Sequence, residues 1–145
     1  MELPDYVTVE EVQRVCTELG LCDWTAITEA DVVVDEAARI WEELAIADMP
    51  VSMEDFRAGL AVELEHGMKF PEANVTNNHP ILTGKIVVAH LRETLDYYKR
   101  LDVAELEGDL LKAIVAGNGA KAARKYAMLT KARTELAEAE AAQLG

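Results

Sequence analysis

Residues 80–101, PILTGKIVVAHLRETLDYYKRL, decide how this chain folds. The stretch reads as one long helix opened by Pro80, a residue suited to the first helical position. At roughly 100° per residue, Leu82, Ile86, Val87 and Leu101 share one broad face, with Thr83 and Thr94 among them. His90 falls near the centre of that face, and Glu93 and Tyr97 lie beside it. Lys85, Arg92, Asp96 and Lys99 fall opposite, as a solvated face should. The spacing therefore predicts a buried helix that turns an imidazole and a carboxylate inward. An ionised glutamate costs several kcal/mol to bury without a partner, so a partner is expected.

Working back along the chain, the preceding helix supplies one. Ser52 reads as its N-cap with Asp55 three residues on, and Gly67 as the residue that ends it. Met53, Phe56, Leu60 and Leu64 form its apolar face. Glu63 sits at the edge of that face and His66 lies further round, in the last turn. The two helices thus carry mirrored pairs, Glu63-x-x-His66 and His90-x-x-Glu93. Residues three apart share a helix face. If the helices are antiparallel neighbours, two imidazoles and two carboxylates converge. That donor set suits Zn²⁺, Fe²⁺ or Mn²⁺, with Tyr97 behind the ligands, and Glu-x-x-His is half of the di-iron signature of helical bundles. The same residues also form a self-contained hydrogen-bonded network, Glu63 or Glu93 orienting His90 and Tyr97. His66, near a helix C-terminus, is favoured there by the dipole alone.

Helix signals dominate the rest. Thr8 with Glu11 is a capping box, and Val12, Val15, Cys16 and Leu19 make a stripe closed by Gly20. A second helix is expected from about Thr28 to Ile46, with Val33, Ala37, Ile40, Trp41 and Leu44 inward. MKFPEANVTNNHP, residues 68–80, is a loop by composition, with His79 a turn residue. No strand-like alternation appears. The expectation is an all-α chain: a compact four-helix domain over residues 1–103 and a helical extension over 104–145, broken at the GNG of 117–119.

The last helix carries Ala122, Tyr126, Leu129, Ala132, Leu136 and Ala139 in a narrow stripe that buries little by itself. Residues 121–133 hold Lys121, Arg124, Lys125, Lys131 and Arg133 and no acid, whereas residues 1–120 hold 24 acids and nine bases. The extension, through Lys121, Arg124, Lys125, Tyr126 and Leu129, is a candidate contact for the acidic body, a second copy or a protein partner, and its basic stretch reads equally as a solvated helix face. The competing functional reading follows: a structural or assembly component, with the polar cluster only fixing helix register.

The 27 acidic against 14 basic residues, a net charge of −13, argue against nucleic acid or an anionic membrane as partner. No run approaches the roughly 20 apolar residues of a membrane helix. The first residues lack a signal-peptide pattern, so the expected compartment is the cytoplasm, or a virion for a phage protein. Cys16 and Cys22, six residues apart, could form a disulfide but are expected as buried free thiols, and the Asn74-Val75-Thr76 sequon as idle. No nucleophile elbow, Walker loop or dinucleotide fingerprint is present, so no reaction is assigned.

FRAGLAVELEHG, residues 56–67, followed by AHLRETLDYYKRL, residues 89–101, resembles an uncharacterised family of small helical proteins from bacteria, archaea and their phages. That family shows GL-x-VELEHG and AHL-x-E-x-x-DYY-x-RL blocks. The resemblance spans roughly residues 52–102. It implies that Glu63, His66, His90, Glu93, Asp96 and Tyr97 belong to a recurring pattern, and it carries no activity. Leu95 stands where the family often has proline, which bears on a bend at that point.

Overall fold

The computed structural model describes residues 4–145. Among them lie six α-helices, one 3₁₀ turn and no strand, so the chain is all-α. The helices are α1 (Val9–Leu19), α2 (Val34–Leu44), α3 (Met53–Lys69), α4 (Pro80–Glu93), α5 (Tyr97–Val115) and α6 (Gly119–Leu144), with the 3₁₀ turn at Pro71–Ala73. They fall into two compact units, one ending at Arg92 and one running from Glu93 to Gly145.

In the first unit, α1 begins and ends as its sequence dictates. Thr8 Oγ1 accepts from Glu11 N at 3.3 Å, and Gly20 takes the left-handed conformation at φ 65°. The last turn of α1 has no basic residue of its own. Arg39 of α2 supplies the cation, its Nη1 donating to the carbonyls of Leu19 and Gly20.

α2 starts six residues later than the sequence suggests. Residues 24–33 are committed elsewhere. Trp24 is buried, and its Nε1 donates to Glu36 Oε2 at 3.1 Å. Cys22 N donates to Glu36 Oε1 at 2.6 Å. One nearly buried carboxylate thus takes the Cys22 backbone and Trp24 ring donors of the incoming loop. Val32 fills the core ahead of the helix, while Val33, expected inward, is exposed as the N-cap in extended backbone. Trp41 is half-buried and meets Phe56 edge-on, with ring centroids 4.8 Å apart. Of the two cysteines, Cys16 is buried and Cys22 exposed, both free. Desolvation and the Glu36 carboxylate raise the Cys22 thiol to about 11.

α3 starts on Ser52, whose Oγ accepts from Asp55 N at 3.0 Å. It does not stop at Gly67. It continues to Lys69, because Gly67 serves a packing purpose described below instead of a turn. α4 opens at Pro80 as expected but ends at Glu93. Its buried face is Pro80, Thr83, Gly84, Val87, Val88 and Leu91. Gly84 is where α4 meets α2 and α3: a Cβ there would lie 2.9 Å from both Ile40 Cγ2 and Leu44 Cδ1.

In the second unit, Tyr97 N donates to Thr94 O at 3.1 Å across the turn that restarts the chain as α5. Asp96, expected on the solvated face, is buried. The helical phase that placed it outward does not survive the break at 94–96. α5 then runs unbroken to Val115. The GNG stretch turns the chain with Gly117 at φ 67°, and Asn118 Oδ1 caps α6 by accepting from Lys121 N. α5 and α6 pack along each other. Leu106, Leu129 and Ala132 form the buried seam, with Val103 and Leu110 beside them. The far end is closed by charge. Arg100 reaches Asp96 Oδ1 at 2.8 Å and Oδ2 at 2.9 Å, and Glu140 at 2.7 Å. Gln143 Nε2 donates to Asp96 Oδ2 at 3.2 Å.

Two consequences are measurable. Gly84→Leu should destabilise the first unit by about 1–3 kcal/mol, read as a lower midpoint in a urea melt; an unchanged midpoint would refute the close approach. The Arg100 guanidinium first, with Thr94 and Gln143, holds the Asp96 carboxyl down at about 2. A depressed carboxyl stabilises the fold above its unfolded value near 3.8 and loses that contribution as pH falls toward 2. Asp96→Asn should therefore remove about 1–2 kcal/mol at neutral pH and flatten the loss of stability between pH 4 and 2, read by circular dichroism melts.

Candidate functional site

The site is built where the carboxyl-terminal half of α3 meets the loop of residues 70–79. The loop folds on itself through asparagines. Asn74 Oδ1 accepts from Thr76 Oγ1 at 3.2 Å and from Asn78 N at 3.4 Å. Asn74 Nδ2 donates to Asn78 Oδ1 at 2.8 Å and to Gly67 O at 3.3 Å. Asn77 and Asn78 both sit in the left-handed region, at φ 47° and 59°, where asparagine is among the few tolerated side chains. The loop lies directly on α3 at Gly67. A Cβ there would come within 2.9 Å of Asn74 Nδ2 and closer still to Asn78 Oδ1. That contact is the reason for glycine in the middle of a helical turn.

The loop leads into α4 through His79, which is buried. Its Nδ1 accepts from Ile81 N at 3.2 Å and Leu82 N at 3.4 Å. The imidazole is thus the N-cap of α4. Accepting at Nδ1 requires the neutral ring with its proton on Nε2. Burial, the largest cause, pushes the imidazole below its ordinary value, against the opposing attraction of Glu11.

Between loop and helix lies a cleft of about 290 Å³. Glu63 and Glu72 bring carboxylates to it, and His66 an imidazole. Asn74, Thr76, Asn78 and Thr83 supply neutral polar groups, and Phe70, Val75 and Ile86 apolar wall. No lysine or arginine lines it among the described residues. Lys69 Nζ stands 5.5 Å from the centroid of the Phe70 ring.

The structure brings three of the sequence-derived ligands together. Glu63, with a side chain 15% exposed, lies between two imidazoles: Oε1 is 3.2 Å from His90 Nδ1 and Oε2 is 3.9 Å from His66 Nδ1. His90 and His66 are both half-open to solvent. Glu93 departs from expectation. It is exposed at the last residue of α4, because the buried face centres on Val87, Val88 and Leu91 and Glu93 lies roughly 200° round from Leu91. Among the described residues, no three His, Cys, Asp or Glu side chains are arranged to hold a metal ion. Tyr97 is half-buried in the second unit, its ring edge-on to Tyr98 at 5.2 Å. Of the expected contact residues on α6, Leu129 is buried in the seam and Lys125 Nζ is 2.7 Å from Asp109 Oδ2. Lys121, Arg124 and Tyr126 are exposed. The sequence pattern gives Gly67 a helix-ending role and Asn74 and Thr76 an idle sequon, and does not show that these residues and Asn78 build the cleft. Their signal was the run of asparagines directly ahead of a helix-opening proline.

A family model described as "Protein of unknown function (DUF5661)" matches residues 12–107. The match extends well beyond the two blocks on which the resemblance rested and includes every residue of the cleft. No curated protein and no solved structure matches the chain. No helix among the described residues is long and apolar enough to cross a membrane.

The His79 cap has a pH signature. Below about 6.5 the unfolded chain gains a proton at this imidazole that the folded chain resists, so stability falls as pH drops through that value. His79→Asn should keep the cap and lose that portion of the pH dependence. His79→Ala should cost about 1 kcal/mol at neutral pH. Melts at pH 7.5 and 5.5 check both, and an Asn variant as pH-sensitive as the parent would refute the role.

Proposed function

The chain belongs to that family of unknown function, and from the chemistry of its cleft we propose that it binds a small organic cation there. One observation carries the reading: two carboxylates, Glu63 and Glu72, line the cleft, and among the described residues no lysine or arginine does. Charge lining a concave wall attracts the opposite charge more strongly than on open surface. The volume of about 290 Å³ sits at the low end of ordinary ligand sites, roughly 300–1,000 Å³. A short amine fits that space. Its ammonium would sit against Glu63 and Glu72. Neutral hydrogen-bonding groups at Asn74, Thr76 and Thr83 would orient its polar substituents, and Val75 and Ile86 would flank its carbon chain.

A second reading rests on a separate observation, the way each oxygen of Glu63 faces a different imidazole. A divalent transition metal, Zn²⁺, Fe²⁺ or Mn²⁺, would be held by Glu63, His66 and His90 after a rotation of the side chains. Those donors suit such ions. Glu93 would join only if the end of α4 rearranged. No reaction follows from either reading.

The two are separated by one titration on amide-labelled protein with three probes: 1,4-diaminobutane, the neutral 1,4-butanediol, and Zn²⁺. The diamine should shift the amides of Glu63, Gly67, Asn74, Thr76 and Asn78 in a saturable way, and the diol should not. Glu63→Gln with Glu72→Gln should weaken the diamine at least about tenfold, the loss of two favourable charges. Saturable Zn²⁺ binding lost in His66→Ala and His90→Ala, with no diamine response, would replace the first reading by the second. No saturable response to any probe would leave the acid–imidazole cluster a structural network and remove both.

A further inference from the structure

A second feature, independent of the cleft, lies on the α5–α6 hairpin. Its seam repeats every seven residues. Val103, Leu106, Leu110 and Ala113 alternate in steps of three and four along α5, and Leu129 and Ala132 face them from α6. In an antiparallel pair, the residues one position after each seam residue project from the same side of both helices. On α5 these include Glu107, Leu111 and Ile114. On α6 they are Thr130 and Arg133, and Tyr126 falls on the same side, seven residues before Arg133. The ion pair between Arg133 Nη2 and Glu107 Oε1, 2.7 Å long, spans the helices on that side and fixes the geometry.

That side is unusually apolar for a surface. Leu111 is 62% exposed, Ile114 59% and Tyr126 60%. Leucine, isoleucine and tyrosine so exposed and clustered on one face mark a contact surface. Charge then decides the occupant. Residues 1–92 carry 18 acids and six bases, whereas residues 93–145 carry nine acids and eight bases. The hairpin is the one near-neutral part of a strongly acidic chain, so two hairpins approach without the repulsion that opposes any other pairing of copies. Its apolar face holds one acid and one base side by side. A two-fold axis through that face and parallel to the helices would set Glu107 of each copy against Arg133 of the other, and in that arrangement the face is complementary to itself.

We propose that this face, built on Leu111, Ile114 and Tyr126, joins two copies of the chain into a four-helix bundle of two hairpins. The seam supports this. With alanine at 113 and 132, one hairpin buries little apolar area alone, and a second hairpin laid over Leu111, Ile114 and Tyr126 adds what is missing. The contact spans few residues, so the association is weak, with a dissociation constant on the order of 10 μM.

Sedimentation equilibrium of the full chain tests it. Between about 1 and 300 μM, a range that brackets that constant, the wild type should pass from monomer to dimer. Leu111→Glu with Ile114→Glu should stay monomeric throughout, with an unchanged helical spectrum because both residues are already exposed. Val34→Glu, an equally exposed valine of the first unit, should dimerise as the wild type does. Glu107→Arg and Arg133→Glu should each be monomeric alone and recover dimer when mixed, since only the mixture restores opposite charges across the axis. That recovery holds even if the apolar double variant folds poorly. A wild type that stays monomeric over the whole range would overturn the proposal. So would a dimer that survives the apolar double variant, or charge variants whose mixture stays monomeric.

Discussion

The cleft depends on one contact, the seating of Asn74 on Gly67. A loop of residues 70–79 that crosses the end of a helix brings its own unpaired backbone groups to a half-buried place. Asn74 answers this with a single amide group, its oxygen taking the loop's donors and its nitrogen giving to Gly67 O and Asn78 Oδ1. The loop approaches that closely because position 67 has no side chain. Move the loop outward and the wall that carries Thr76 and Asn78 leaves Glu63 and His66 behind. His79 then continues the same logic into α4, spending its ring nitrogen on the helix's first free donors. The sequon at Asn74 is therefore occupied by structure: its side-chain nitrogen, the atom a glycan would need, is already bonded.

Much of the fold could be read from local chemistry. Thr8, Gly20, Ser52 and Pro80 punctuate α1, α3 and α4 because caps and turns are set by a few neighbouring atoms. The errors share a cause, which is that distant groups overrode local signals. Thr28 looks like a helix start, yet Trp24, Val32 and the carboxylate of Glu36 hold residues 24–33 out of any helix. Gly67 looks like a helix stop, yet it remains helical because the loop needs its bare Cα. The break at 94–96 is the costliest case. Extending one helical phase through it put Asp96 outward, whereas Arg100 and Gln143, four and 47 residues on, draw it inside.

The site was legible in kind and less so in membership. Glu63, His66 and His90 come together because α3 and α4 both set an acid or imidazole at the margin of an apolar face, and margins of packed helices meet. Glu93 failed by a rotation: the face of α4 turns on Gly84, which lets Ile40 and Leu44 approach and so fixes Val87, Val88 and Leu91 inward. A helical wheel drawn from hydrophobicity alone weighs Leu82 and Ile86 as core, and both sit at the edge. The asparagine loop was invisible to periodicity, since its bonds run from side chain to backbone with no repeat.

The two units also divide the chain's electrostatics. Nearly all the excess negative charge lies in residues 1–92, a distribution that attracts cations and repels like charge. The hairpin pairs its charges internally, Asp109 with Lys125 and Glu107 with Arg133, and leaves its apolar residues on the outside. Exposed ion pairs of this kind add little stability, so their value lies in orientation, holding α5 and α6 in one register. A seam as thin as Leu106, Leu129 and Ala132 would otherwise tolerate sliding. Charge thus fixes the register of a seam with few large side chains, while Leu111, Ile114 and Tyr126 stay exposed on the outside of the hairpin.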